Sequence, residues 1–282
     1  MFLKAPANDS PCESSNTSVK AVQGRPGGSG HGVSGLGSVA LLVGVGLTLC
    51  LSGCAGSKDS KRWRPIANFT TSLEGRTPAQ RHNALLAARR IDGQTLAPNA
   101  TWSFNGCVGK WVRSEGFQRA PVSYGGILVP AWGGGVCQTS TNVYNAALLA
   151  GLEVVERHPH AVAPQYVAPG LDAAVAQGIA DLRLRNPYPF PVRLRARAEG
   201  NRLVCVVEAL VTEAEIARHV PRCELVCERS AVQAPLEVRG FRPQPGRPGM
   251  LIRLWRIKQW SGKTEREFCH ETYYAPLPKG VP

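Results

Sequence analysis

The chain has 282 residues, 43% of them hydrophobic, with 33 Lys and Arg against 20 Asp and Glu and a formal net charge of +13. Three basic and two acidic residues fall in residues 1–54, which leaves +12 on the 228 residues that follow, a length that holds one sizeable domain with an appendage and a core of its own. Such a balance draws the protein to anionic surfaces, although 25 of the 33 basic residues are Arg, a bias that also marks a GC-rich genome and ordinary solvated faces.

Residues 1–37 form a Gly-, Ser- and Pro-rich preamble, longer than the short positive stretch that opens a signal peptide, and are set aside from fold reasoning. From Ser38 to Gly53 the chain is uncharged and largely apolar, and Cys54 follows at once. The run is shorter than the roughly twenty residues of a membrane-spanning helix and breaks into Ala55-Gly56-Ser57-Lys58. It reads as the core of a signal peptide. Leu51-Ser52-Gly53-Cys54 resembles the lipobox of bacterial lipoproteins, which implies a lipid on the Cys54 sulfur and a membrane-anchored protein of the cell envelope facing away from the cytoplasm. An uncleaved anchor is the alternative, and it also exports the remainder. Nucleic acid is therefore not an expected partner; peptidoglycan or another anionic envelope polymer is.

Residues 55–75 are polar and read as a tether. Thr77-Pro78-Ala79-Gln80 then combines an N-cap threonine, a proline at the first helical position and a glutamine three residues on, and Asp92-Gly93 stops the helix, so one helix is predicted over 78–91 with Ala84, Leu85, Ala88 and Ile91 inward. The stretch from Thr101 to Gly135, dense in glycine and aromatics, predicts irregular structure with short strands. Val143, Ala146, Ala147 and Ala150 recur at helical spacing before Gly151, which predicts a second helix from about 138 to 150. Beyond Leu152 the pattern is β. Val192, Leu194, Ala196 and Ala198 alternate with Arg193, Arg195 and Arg197, and Gly200-Asn201 turns into Leu203–Val207, a hairpin with one wet, basic face. A last hairpin pairs Leu251–Ile257 with Arg266–Phe268 around Ser261-Gly262-Lys263. The expected class is α+β, a mixed core with two helices and antiparallel strands. The expected divisions are 1–54 as extension and signal peptide, 55–75 as tether, 76–209 as core domain and 210–282 as a β-rich appendage.

Cys12 and Cys50 precede the expected cleavage point and Cys54 takes the lipid, which leaves Cys107, Cys137, Cys205, Cys223, Cys227 and Cys269. Four of these crowd the last 78 residues. Cys223-x-x-x-Cys227 with Cys269-His270 is loose for zinc, and an oxidising compartment favours at least one disulfide among the four over a metal. No cofactor or metal is expected.

Chemistry gathers at Gly133-Gly134-Gly135-Val136-Cys137-Gln138-Thr139-Ser140. A helix start supplies free N–H groups and a partial positive charge that favour a thiolate, and glycines admit a close approach. Gly134, Gly135 and Gln138 are the candidates for holding an oxyanion. Downstream lie His158-Pro159-His160, then Asp172 and Asp181. The assignment is Cys137 as nucleophile, His160 as base and Asp172 as its orienting acid. This order resembles papain-like and transglutaminase-like hydrolases, which implies a core of that kind. The competing reading buries Cys137 under the glycine loop or bonds it to Cys107, with both histidines structural or on the surface.

Several motifs in one order also resemble the VanW family: Phe104-Asn105-x-x-Val108-Gly109; Gly133 to Thr141; Tyr144-Asn145-Ala146-Ala147; Glu156-Arg157-His158-x-His160; Tyr166-x-x-Pro169-Gly170-x-Asp172-Ala173; and Asp181-Leu182-Arg183. The chain departs from the family pattern in having Lys110-Trp111-Val112-Arg113 where Arg-Thr is usual, and Ala174 where threonine is usual. The resemblance implies an envelope protein, one member being encoded beside glycopeptide-resistance genes, and the C-terminal hairpin is similar to the β-rich tail of longer members. Two functional readings follow. One is a cysteine-dependent hydrolase or acyl-transferase acting on peptidoglycan or its precursors; the other is a non-catalytic module that binds wall polymer or an envelope partner through its basic strands, with Cys137 structural.

Overall fold

The computed structural model describes residues 16–19, 60–124, 127–232 and 249–275. The apolar run of residues 38–53, expected above to be a signal-peptide core, and Cys54 lie outside the described residues. The described chain is mixed α+β, with four α-helices among antiparallel sheets.

The central sheet has the order β2 (Arg62–Ser72), β10 (Arg202–Val211), β9 (Val192–Glu199), β3 (Thr95–Leu96). The Gly200-Asn201 hairpin predicted for β9 and β10 forms in register, Arg202 opposite Glu199. Residues 62–72, read above as tether, are instead the edge strand of this sheet. Lys61, Arg62, Arg64 and Pro65 disguise it, but proline is tolerated on an edge, and here it sits beside a bulge where Val207 faces Ala67 and Glu208 faces Pro65. Ile66 and Ala67 are buried.

Helix α1 (Pro78–Ile91) matches its predicted limits, and both arms of the capping box form, Gln80 N donating to Thr77 Oγ1 at 3.2 Å and Thr77 N to Gln80 Oε1 at 3.1 Å. Its buried face is Asn83, Ala84, Ala87, Ala88 and Ile91, with Leu85 only half-buried. A short helix α2 (Phe104–Val108) follows, then the hairpin β5 (Arg119–Tyr124) and β6 (Ile127–Trp132).

Helix α3 (Val136–Leu149) is the centre of the molecule, packed against α1, β2 and β10. Every one of its residues is buried except Cys137. Burial of so polar a sequence requires partners, and its side-chain donors find them. Thr139 Oγ1 donates to Ala84 O (2.9 Å), Asn142 Nδ2 to Leu203 O (2.6 Å), and Asn145 Nδ2 to Leu171 O (2.6 Å). These bonds fix the helix against three different segments and so fix where its first turn points.

A three-stranded sheet joins β4 (Thr101–Ser103), β8 (Arg183–Arg185) and β7 (Glu153–Glu156). The C-terminal sheet runs β1 (Asn16–Val19), β11 (Arg222–Val232), β12 (Gly249–Trp260), β13 (Lys263–Tyr274), with the predicted last hairpin between β12 and β13; α4 (Glu213–His219) leads into β11. This sheet is joined tightly to the core. Arg256, 3% exposed at its side chain, donates through Nη1 to Leu148 O (3.2 Å) and Leu152 O (2.8 Å) at the end of α3, while its charge pairs with Glu267 (2.7 Å).

Two further expectations change. The six described cysteines are all free thiols. Cys227 on β11 and Cys269 on β13 have β12 running between them, a separation of about two strand spacings, or roughly 10 Å, against the 4.4–6.8 Å between Cα atoms that a disulfide spans. Cys223 and Cys227 lie on one strand and Cys205 belongs to the central sheet. The basic face of β9 is also neutralised: Arg193 pairs with Glu208 (2.6 Å), Arg195 with Asp92 (2.7 Å) and Arg197 with Glu199 (2.5 Å).

Candidate active site

The site begins with the turn that launches α3. Gly133 and Gly135 have φ of 80° and 107°, a backbone region that favours glycine. A Cβ on Gly134 would stand 2.7 Å from both Ala120 O and Pro121 O, and one on Gly135 would collide with Gln80 O. The glycine loop is thus threaded between the first turn of α1 and β5. Asn83 clamps it, its Nδ2 donating to Gly134 O and Gln118 O, each at 2.9 Å. Gly134 and Gly135 therefore shape the turn, and Cys137 emerges from it half-buried.

His160 lies in the segment after β7, held there by a bridge between His158 and Ala174. Its backbone N and its Nδ1 both meet Asp172 Oδ2 at 2.7 Å, which leaves Nε2 for the thiol of Cys137. The Cys137 Sγ also lies 3.5 Å from Val175 O. Cys137, His160 and Asp172 thus form one continuous line. Asp172 is fully buried and collects further donors: Arg157 Nη2 at 3.0 Å and the Tyr274 hydroxyl on Oδ1, with Arg157 Nε on its main-chain oxygen at 2.8 Å. Arg157 is itself braced by Thr272 Oγ1 at 2.7 Å.

The electrostatics follow from these contacts. Burial opposes ionisation of Asp172, yet the His160 hydrogen bond and the Arg157 charge hold its carboxyl down at about 2. Burial opposes the charged imidazole too, but the hydrogen bonds to Asp172 and Cys137 push His160 up to about 10. Burial would raise the Cys137 thiol, and the hydrogen bond and charge of His160 overcome it and hold the thiol below its ordinary value. Both shifts run in the direction of a thiolate beside an imidazolium.

The other sequence candidates fall elsewhere. His158 pairs with Glu156 (2.9 Å) and is 41% exposed at its side chain. Asp181 caps α2, accepting from Ser103 Oγ (2.5 Å) and Asn105 N (2.8 Å). Cys107 directs its Sγ to Arg90 O (3.2 Å) rather than to Cys137. The Gln138 donors are already engaged, its side chain with Thr71 Oγ1 (2.8 Å) and Ser72 O (2.7 Å), its main-chain N–H with Gly135 O (3.1 Å). Ala174, where threonine was usual, contributes only its backbone N–H, to His158 O at 2.8 Å.

Four residues that sequence reasoning did not assign border the site: Arg157 and Tyr274 behind Asp172, and Arg76 and Tyr166 beside Cys137. The guanidinium of Arg76 sits 4.5 Å over the Tyr166 ring, whose hydroxyl is 3.3 Å from Thr141 Oγ1, one turn along α3 from Cys137. Tyr166 stood within a recognisable motif. Arg76 carried no signal beyond preceding a helix cap.

Residues 79–207 match the family described as VanW like protein. The chain is 37% identical over 139 residues to the "Uncharacterized protein YoaR" of Bacillus subtilis (strain 168), covering 49% of this chain and 46% of that one. It is 29% identical over 110 residues to the "Vancomycin B-type resistance protein VanW" of Enterococcus faecalis (strain ATCC 700802 / V583), covering 37% and 40% respectively. The chain thus spans less than half the length of these curated relatives. No solved structure matches it. Cys137, His160 and Asp172 all fall inside the matched segment, residues 79–207, which is the part of the chain that resembles the VanW-like family.

Proposed function

We propose that this protein is a cysteine-dependent acyl-transfer enzyme, a hydrolase or transferase, acting on peptide bonds of peptidoglycan or its precursors in the cell envelope, where a lipid on Cys54 holds it to the membrane. The observation that carries the reading is the line from the one unburied residue of α3 through His160 to a buried, charge-braced carboxylate. In the forward step the Cys137 thiolate forms an S–C bond to the substrate carbonyl. The imidazolium of His160 gives its proton to the leaving amine as the C–N bond breaks, which leaves a thioester. Water or a second amine then attacks the thioester, neutral His160 takes its proton, and Cys137 leaves as the thiolate, which restores the starting ion pair. Asp172 keeps Nδ1 protonated and the ring aimed. The main-chain N–H of Cys137, at the positive end of α3, would serve as the oxyanion donor.

The wall substrate rests on the resistance named for the Enterococcus relative, on the charge of +12 after Cys54 and on the signal-peptide core. The test is Cys137→Ser in cells. Loss of function with normal export and abundance is expected, and muropeptide profiles should shift alike in Cys137→Ser and His160→Ala strains. A stable Cys137→Ser protein that fully complements a deletion strain defeats the reading.

A further inference from the structure

Arg76 stands near Cys137 and Tyr166 with no assigned task. It lies in the short connection between β2 and α1, and both flanks of that connection are tied down. Gln138, next to the nucleophile, holds Thr71 and Ser72 at the end of β2, and the Thr77 capping box fixes the start of α1. The guanidinium carbon stands 4.5 Å from the centre of the Tyr166 ring, and Tyr166 is tied to Thr141 on the same helix as Cys137. The cation is thereby held across the first turn of α3, half-buried. Burial lowers its pKa, and it shares a field with both Tyr166 and the Cys137 thiol.

Its isolation is what calls for a ligand. At the site Arg157 has Asp172, and elsewhere in the fold Arg90 has Glu115 and Arg193 has Glu208, each within 3.0 Å. Among the described residues no carboxylate pairs with Arg76. A guanidinium kept partly out of water with no carboxylate on its N–H donors is costly, and those five donors present a planar fork that fits a carboxylate.

We infer that Arg76 forms the subsite for a free carboxylate on the acyl-donor peptide, next to the scissile amide, so that the substrate class is acidic peptides rather than neutral ones. This deepens the proposed acyl-transfer reading and rests on it. The ion pair would set the carbonyl over the thiolate and would complete the charge of the site, one anion to each cation: Cys137 with His160, substrate with Arg76.

The test needs no knowledge of the natural substrate. Iodoacetate and iodoacetamide both alkylate a thiolate, forming an S–C bond and expelling iodide, and differ in carrying a carboxylate or a neutral amide. The second-order rate constants for Cys137 in the folded protein are measured by peptide mass mapping. Iodoacetate should be preferred and should show saturation. In Arg76→Gln the iodoacetate-to-iodoacetamide ratio should fall about tenfold or more, while Arg76→Lys, which keeps the charge, should retain part of the preference. Rapid alkylation by both reagents with the same ratio in Arg76→Gln as in the wild type overturns the carboxylate subsite and leaves the nucleophile standing. Slow alkylation by both overturns the nucleophile itself. A variant counts only if its melting curve shows a single folded transition.

Discussion

Two groups of cysteines share this chain and one has been given a different environment. Cys205, Cys223, Cys227 and Cys269 lie on strands of the two large sheets, where burial pushes their thiols up to about 12 for Cys205 and about 11 for the other three. Cys137 is no less desolvated in kind, but it opens a helix and faces an imidazole held by a carboxylate, and its thiol is held down. The contrast teaches that neither the residue type nor burial decides reactivity; a neighbouring cation that cannot leave does. The same contrast explains why the tail cysteines do not form a staple. They are spread through a sheet whose strand order keeps Cys227 and Cys269 apart, and they serve as small core residues instead.

Removing the carboxylate should break that contrast most severely. Asp172→Ala leaves Arg157 charged, buried and unpaired, and removes the acceptor for both His160 and Tyr274. A loss of about 3–5 kcal/mol in chemical denaturation is expected, with Cys137 becoming as slow toward alkylating agents as Cys223. A variant of full stability and undiminished reactivity would show that Asp172 does not hold the pair together.

The pH dependence sharpens the same comparison. Asp172 is depressed, so its contribution to stability is present above the ordinary carboxylate range of about 4 and is lost as the pH falls toward about 2. His160 is raised, so its contribution is complete below about 6.5 and is lost as the pH rises through about 10. Denaturation midpoints measured across this range should therefore form a plateau with those two edges. Tyr274→Phe is the smallest perturbation. It removes one of the donors to Oδ1, so the acid edge should move upward by a fraction of a pH unit to about one unit, with a stability loss of about 1–2 kcal/mol. An unchanged acid edge would place Tyr274 outside the carboxylate's support.

Much of the frame can be read locally. The Thr77–Gln80 box, the glycines before Cys137 and the Gly200-Asn201 turn each act within a few residues, and each element formed where those signals placed it. Cys137 at the start of a helix was legible for the same reason. Other parts were not. His158 and His160 are indistinguishable in sequence, and only the fold of the segment after β7 sends one to Glu156 and the other to Asp172. Tyr274 reaches Asp172 across 102 residues, and Thr272 reaches Arg157 across 115, contacts made by the packing of the C-terminal sheet and announced by no local pattern. Strand β2 was hidden because Pro65 and its basic neighbours imitate a linker, and the bulge that accommodates Pro65 belongs to the pairing with β10. Arg76 was hidden with it.

The central claim is that Cys137 exists as a thiolate beside protonated His160 before any substrate arrives. The most direct measurement is the rate of Cys137 alkylation by neutral iodoacetamide as a function of pH, in the wild type and in His160→Ala. The account predicts a wild-type rate that persists well below the ordinary thiol pKa of about 8.5. In His160→Ala it should fall about 10²–10⁴-fold near neutral pH and titrate only above that value. A wild-type profile that rises only near pH 8.5 or above, and coincides with that of His160→Ala, would contradict it.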